Sequence, residues 1–209
     1  MSESTTVTAS KTRMPRSLAE SAKAFFSFGS PRLLAMQLVV ALAVRPFLGR
    51  PTLADAAIVA GVLVYWPLQE WVAHKYILHA RPLRIAGRDV ELSAARAHRL
   101  HHESPLDLRL TLLPASFIAL LIPIHVALWS VLAPRAAAGT GIVFFGAAAL
   151  FYEWIHFLTH TAYRPRGAWF TEVKRRHMAH HQRDPHRWFG FTFPRLDDWL
   201  GTGGSPARR

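Results

Sequence analysis

Ten of the twelve histidines fall into four clusters. His74 and His79 bound HKYILH, and His98, His101 and His102 form HRLHH. His156 and His160 bound HFLTH, and His177, His180 and His181 form HMAHH. Imidazole is the commonest side-chain ligand of protein-bound metals, and a pair followed by a triplet, twice over, points to metal binding. Positions i, i+3 and i+4 of a helix share one face. Each triplet is therefore expected to project as one fan of imidazoles, and His156 and His160 as a pair. His74 and His79, five apart, stand roughly 140° around an ideal helix; either they serve different metals or the helix loosens there. Five neutral imidazoles for each of two metals is the natural division, with one octahedral position left open. With no cysteine in the chain, disulfides, thiolate zinc sites and iron–sulfur clusters are excluded. Imidazole suits iron, zinc and copper alike, so these residues do not name the metal. A histidine-rich membrane metal transporter is the non-catalytic alternative.

The elements that must position these side chains are apolar. Hydrophobic residues make up 51% of the 209-residue chain. Four long apolar stretches, about 33–49, 54–78, 111–133 and 137–157, read as transmembrane helices. The net charge of +12 would suit nucleic acid, but its distribution suits a membrane. The N-terminal tail, residues 79–110 and residues 158–209 together hold 21 of the 25 Lys and Arg residues. That excess marks the cytoplasmic side and puts both termini there. No basic stripe interleaved with stacking aromatics suggests a nucleic-acid partner. The first stretch carries Arg45, which would cost about 2.5–3.5 kcal/mol at a bilayer centre; it should sit at the outer end of a short or tilted helix. Pro67 should kink the second.

The domain reading is a disordered tail over 1–30, a membrane domain over 31–202 and a frayed tail over 203–209. Within the first tail, residues 17–29 suit a short interfacial helix or a loose linker. The start lacks an apolar core with a small-residue cleavage site, so it is not a secretory signal. His125, inside the third span beyond Pro123, reads as a packing residue bonded to a carbonyl that the proline frees. Glu70 precedes His74 by four residues and Glu153 precedes His156 by three. At membrane depth both acids need partners, and a carboxylate accepting a ligand histidine's second N–H is a common arrangement. Lys174, Arg175, Arg176, Arg183 and Arg187 crowd the last histidine helix and suit an acidic electron carrier. A histidine-rich site at a membrane face, fed by an apolar bundle, suggests lipid chemistry, which iron that activates O₂ makes possible.

These stretches together resemble the membrane-bound fatty acid hydroxylase and sterol desaturase superfamily. HKYILH with Glu70 and Trp71 before it, HRLHHESPLDLRLTLLP, YEWIHFLTH and VKRRHMAHHQRDPHRWFGFTFPRLDDWLGT are similar to that family's motifs, most of all to those of fatty acid 2-hydroxylases. The resemblance implies an all-α integral membrane fold, with four transmembrane helices and a cytoplasmic helical cap holding two metals. It implies ten ligands: His74, His79, His98, His101, His102, His156, His160, His177, His180 and His181. It also implies two iron ions, which zinc could replace in isolated protein, with O₂ and two external electrons. A lipid or fatty acyl substrate is expected, with carotenoid ring hydroxylation or lipid desaturation as alternatives. Eukaryotic relatives often carry a fused cytochrome b5 domain. None is read here, so an external donor, cytochrome b5-like or ferredoxin-like, is expected, and the short chain suits a bacterial cell membrane. His186 matches no ligand position of the family.

Overall fold

The computed structural model describes residues 13–204. The disordered-tail reading of residues 1–12 and the frayed-tail reading of 205–209 lie outside the described residues. Four helices are long and apolar enough to cross a bilayer: Gly29–Leu48, Leu53–Leu78, Leu108–Leu132 and Arg135–Thr159. The chain is an all-α integral membrane protein with one small hairpin.

Helix α1 (Leu18–Phe25) occupies part of the segment read as tail. Ser17 Oγ accepts the Glu20 N–H at 3.2 Å while the Glu20 carboxylate accepts the Ser17 N–H at 3.3 Å, a reciprocal cap that fixes the helix start. Phe25 is buried edge-on against Trp154 at 5.1 Å, so α1 is docked on the bundle rather than loosely linked to it.

Helix α2 (Gly29–Val44) ends in a tight turn, Arg45–Leu48, that completes the short first span. Arg45 sits in the turn that ends the first span, away from its centre, as its charge requires. Its guanidinium donates to Asp55 Oδ1 at 2.5 Å, Thr140 Oγ1 at 2.7 Å and the Gly49 carbonyl at 2.9 Å. A charge that insertion would penalise thus ties three spans together. Helix α3 (Leu53–Val72) runs through Pro67 and continues as a π-helical turn over Ala73–Leu78.

A hairpin of β1 (Leu83–Ile85) and β2 (Arg88–Val90) follows, antiparallel with Leu83 opposite Val90. The all-helical reading did not foresee it. Ala86 and Gly87 both have positive φ, 48° and 77°, which matches the right-handed strand twist. Helices α4 (Ser93–Glu103) and α5 (Leu108–Thr111) precede α6 (Ala115–Leu132) and α7 (Arg135–Thr159). Helices α8 (Ala168–Gln182) and α9 (Arg195–Trp199) close the chain.

Helix α7 is the hub, packing on α2, α3 and α6. Small residues permit this: a Cβ on Gly141 would meet the Trp129 ring at 2.5 Å. Helices α3 and α6 lean on α7 rather than on each other. The buried aromatic and aliphatic core gathers at the far end of α7, where Phe25, Leu112 and Phe157 meet, beside Ile155, Leu158, Phe170, Val173 and Phe191. Along the spans, side chains such as Met36, Val39, Val64, Leu120 and Val131 are exposed, as lipid-facing residues must be. The short helices α4, α5, α8 and α9 form a cap over the core end, and the histidines lie between cap and bundle.

Candidate metal centre

The structure brings the ten histidines into two groups of five: His74, His79, His98, His102 and His180, and His101, His156, His160, His177 and His181. In each group one nitrogen per ring lies within 4.8 Å of the others. The division corrects the picture of two intact fans, one per half. In each triplet the i and i+4 rings join the group of their own half, and the i+3 ring crosses to the other. His101 thus sits 3.1 Å from His160, and His180 sits 3.1 Å from both His79 and His102. The two helices α4 and α8 lie between the groups, so residues 100° apart on one helix face different neighbours. The His74–His79 spacing is resolved by the π-turn. The His79 N–H bonds the His74 carbonyl at 3.2 Å, closing a wider turn that brings positions five apart into line. Both rings then serve one group.

The donor set fits cations. His74 Nδ1 lies 2.8 Å from the Phe189 carbonyl and His180 Nδ1 2.6 Å from the Arg187 carbonyl. Each Nδ1 must therefore donate its hydrogen, leaving Nε2 as a bare lone pair. Those Nε2 atoms face other Nε2 atoms at 2.6–3.2 Å across the two groups, an inward convergence that a central cation satisfies. Burial keeps the rings uncharged. It pushes His79 and His102 down to about 4 and His160 down to about 3. Burial, and then neighbouring imidazoles, hold His98, His177, His180 and His181 well below the usual histidine range. At neutral pH the set is ready to bind metal without first losing protons. No carboxylate joins either group among the described residues.

The acids work one layer out, with partners the spacing did not foretell. Glu70 does not take the second N–H of His74. It accepts from the Trp66 indole at 3.2 Å, from the Thr192 N–H and hydroxyl at 2.9 Å each, and from the Phe191 N–H. Asp197, fully buried, accepts from the Phe189 N–H at 2.9 Å, the Gly190 N–H at 3.0 Å, the Trp71 indole at 3.1 Å and the Thr202 hydroxyl at 2.8 Å. Residues 187–192 therefore act as a strap. Two buried carboxylates hold its N–H groups, while its carbonyls orient His74 and His180. Glu153 is also buried; its Oε2 takes the Leu113 N–H at 3.4 Å and its Oε1 has no hydrogen-bond partner. It makes no bond to His156, which belongs to the second group. The sequence reading placed this stretch in a family-like motif but gave Asp197 and the strap no role. The one available signal was the dense run of Trp, Phe and Gly beside two aspartates near the chain's end.

The sequence profile for fatty acid hydroxylase matches residues 59–202, more than half of the chain. The chain belongs to the fatty acid hydroxylase family. It is 29% identical over 147 residues to dihydroceramide fatty acyl 2-hydroxylase FAH2 of Arabidopsis thaliana, covering 69% of this chain and 60% of that protein. It is 25% identical over 129 residues to fatty acid 2-hydroxylase of Homo sapiens, covering 61% of this chain and 34% of that one. The chain thus spans less than two thirds of these relatives' lengths. It shares its fold with a solved structure described as full-length scs7p, only the hydroxylase domain of which is visible. The TM-score is 0.64 at 22% identity, over 93% of this chain and 69% of that chain.

In this fatty acid hydroxylase family member, a cavity of about 350 Å³ runs from the first histidine group down between α3 and α6. His74, Glu70 and Glu153 line its head; Trp66, Phe117, Ile118, Phe145 and Leu128 line its length. A much smaller cleft of about 10 Å³, room for about one water-sized molecule, is bounded by Tyr152 and by one histidine of each group, His98 and His156. His125 also lines the large cavity. The carbonyl bond expected for it is absent: its Nε2 is buried without a partner and its ring stacks on Phe145 at 4.0 Å. His186 is exposed and belongs to neither group.

The basic cluster on and just after α8 is largely engaged within the chain. Lys174 donates to the Thr161 and Tyr163 carbonyls. Arg175 pairs with Glu172, Arg176 with Glu172 and Asp198, and Arg187 with Asp184. Arg175 and Arg187 remain partly exposed within these pairs.

Proposed function

We propose that the chain is a membrane-bound non-haem diiron oxygenase that hydroxylates a lipid acyl chain beside its carbonyl. The observation that carries this is that two adjoining five-imidazole groups stand at the head of an apolar cavity, which the first group reaches through His74. The relatives, 2-hydroxylases of fatty acids and of dihydroceramide acyl chains, support carbon 2. His74, His79, His98, His102 and His180 would hold one iron, and His101, His156, His160, His177 and His181 the other; zinc can take the same nitrogens in isolated protein. When bound, the iron pair supplies activation of O₂, one oxygen atom entering the C–H bond and the other leaving as water, with two electrons and two protons drawn from outside.

The chain's own residues do the rest. The Phe189 and Arg187 carbonyls hold His74 and His180 with Nε2 inward. Trp66, Phe117 and Phe145 exclude water from the acyl chain, and Glu153 faces the substrate's polar head from the cavity wall. Half-buried His79, His102 and His181 form the edge at which an external donor, cytochrome b5-like or ferredoxin-like, would deliver electrons. The bias of basic residues supports a cap and termini on the cytoplasmic side of a bacterial cell membrane.

Expression in a host that makes both carotenoids and acyl lipids, followed by lipid mass spectrometry, tests the reading. The expected products are 2-hydroxy acyl lipids. Hydroxylated carotenoids with unchanged acyl chains, or metal flux across vesicles without oxygen consumption, would overturn it.

A further inference from the structure

Below its head the cavity is not uniformly apolar: Gln37, whose amide donates to the Ile142 carbonyl, and His125 both line it. His125 on α6 lines it, the ring stacked on Phe145 and Nε2 buried without a partner. Phe145 in turn touches Trp66 edge-on at 4.8 Å. Trp66 precedes His74 by eight residues on α3, and Phe145 precedes His156 by eleven on α7. At 1.5 Å of rise per residue, His125 stands about 12–16 Å below the histidine groups. A purely saturated chain filling this depth leaves the imidazole nitrogen without a hydrogen bond, in a place where bilayer and protein supply none. A hydroxyl can donate and accept, so it satisfies either tautomer of His125.

Resting on the acyl-chain reading above, we infer that His125 is a specificity residue that selects acyl chains bearing a mid-chain hydroxyl. An extended chain advances about 1.3 Å per carbon, from 1.5 Å bonds at tetrahedral angles. The depth of His125 then corresponds to about 9–12 carbons beyond carbon 2. A hydroxyl at carbon 12 falls within that window and one at carbon 5 falls well short. The exposed faces of Leu121, Ile124 and Leu128 beside His125 leave this end of the cavity open toward the bilayer, so a branched-off hydroxyl can enter sideways with its chain. His125 does not touch the reacting carbon; it sets which chain lies in register.

The test is equilibrium binding to the full-length, metal-loaded protein in detergent micelles, read by native mass spectrometry. The probes are octadecanoic, 5-hydroxyoctadecanoic and 12-hydroxyoctadecanoic acids, each also as its sphinganine amide. One additional hydrogen bond predicts that the 12-hydroxy chain binds about three- to tenfold tighter than the 5-hydroxy isomer. In His125→Phe, which keeps a ring to stack on Phe145, that ratio falls to about one, and in His125→Gln part of it survives. Metal content of each variant reports that the fold is intact. Equal binding of the two isomers by the unmodified protein, or a preference that survives in His125→Phe, overturns the inference while leaving the acyl-chain reading in place. Failure of all the chains to bind overturns both.

Discussion

Asp197→Asn separates the strap from the rest of the site. The carboxylate takes four hydrogen bonds in a fully buried position, three on Oδ1 and one, from the Gly190 N–H, on Oδ2. Asparagine keeps the shape and the Oδ1 acceptor, but it points an NH₂ group at the Gly190 N–H. One buried donor is orphaned and faces another donor, a loss of about 1–3 kcal/mol, so the protein should still fold. The strap shifts, and with it the Phe189 carbonyl that orients His74 and the Arg187 carbonyl that orients His180. Both rings belong to the first group, and none of the second group depends on the strap through a hydrogen bond. Loss of such an outer partner weakens metal binding about 10–100-fold. The expectation is a selective loss of that size at the first site, with the second unchanged. Chelator-competition titration with zinc, resolved into two binding constants, reads it. If both constants fall together, or neither moves, the strap does not position the first group and the argument from its hydrogen bonds is wrong.

Exchange of the i+3 histidines predicts crossed phenotypes. His180→Ala should empty the site of His74, and His101→Ala the site of His156; anomalous diffraction at the metal edge would locate the ion that remains, and a loss on the same-half site would contradict the crossing. Glu153→Gln should retain both metals and lower turnover about 10–100-fold, the size of one hydrogen bond between a charged group and the substrate's polar head; full activity, or loss of an ion by elemental analysis, would reject its place beside the substrate. Stripping the metals with a chelator should lower thermal stability in detergent. At free metal a hundredfold above Kd, about 2.7 kcal/mol per site is at stake, and an unchanged melting temperature would mean the histidine groups are stable without ions.

Much of this was legible in the sequence because it rests on periodicity. Apolar length marked the four spans, the cost of a buried charge put Arg45 at an outer end, and histidine spacing marked the face each ring would take. What periodicity cannot say is which neighbour a face meets. His98 and His101 lie on adjacent faces of one short helix, and only the packing of α4 between the two groups sends them apart. The five-residue gap between His74 and His79 left two answers open, and the π-turn chose one of them. Glu70 stands one helical turn from His74, yet its carboxylate reaches a strap more than a hundred residues away in sequence. The hairpin at Ala86–Gly87 went unseen because its strands are three residues each, too short for an alternation to register.

The crossing of His101 and His180 also has a temporal meaning. A chain emerging from the ribosome has made His74, His79, His98 and His102 long before His180 exists, and the strap that steers His74 comes later still. An early ion would meet four rings, one of them unsteered, in a pocket without its lid. Neither centre can close until nearly the last residues of the domain are made, so metal loading follows insertion of all four spans. A truncated or stalled product carries no finished histidine group.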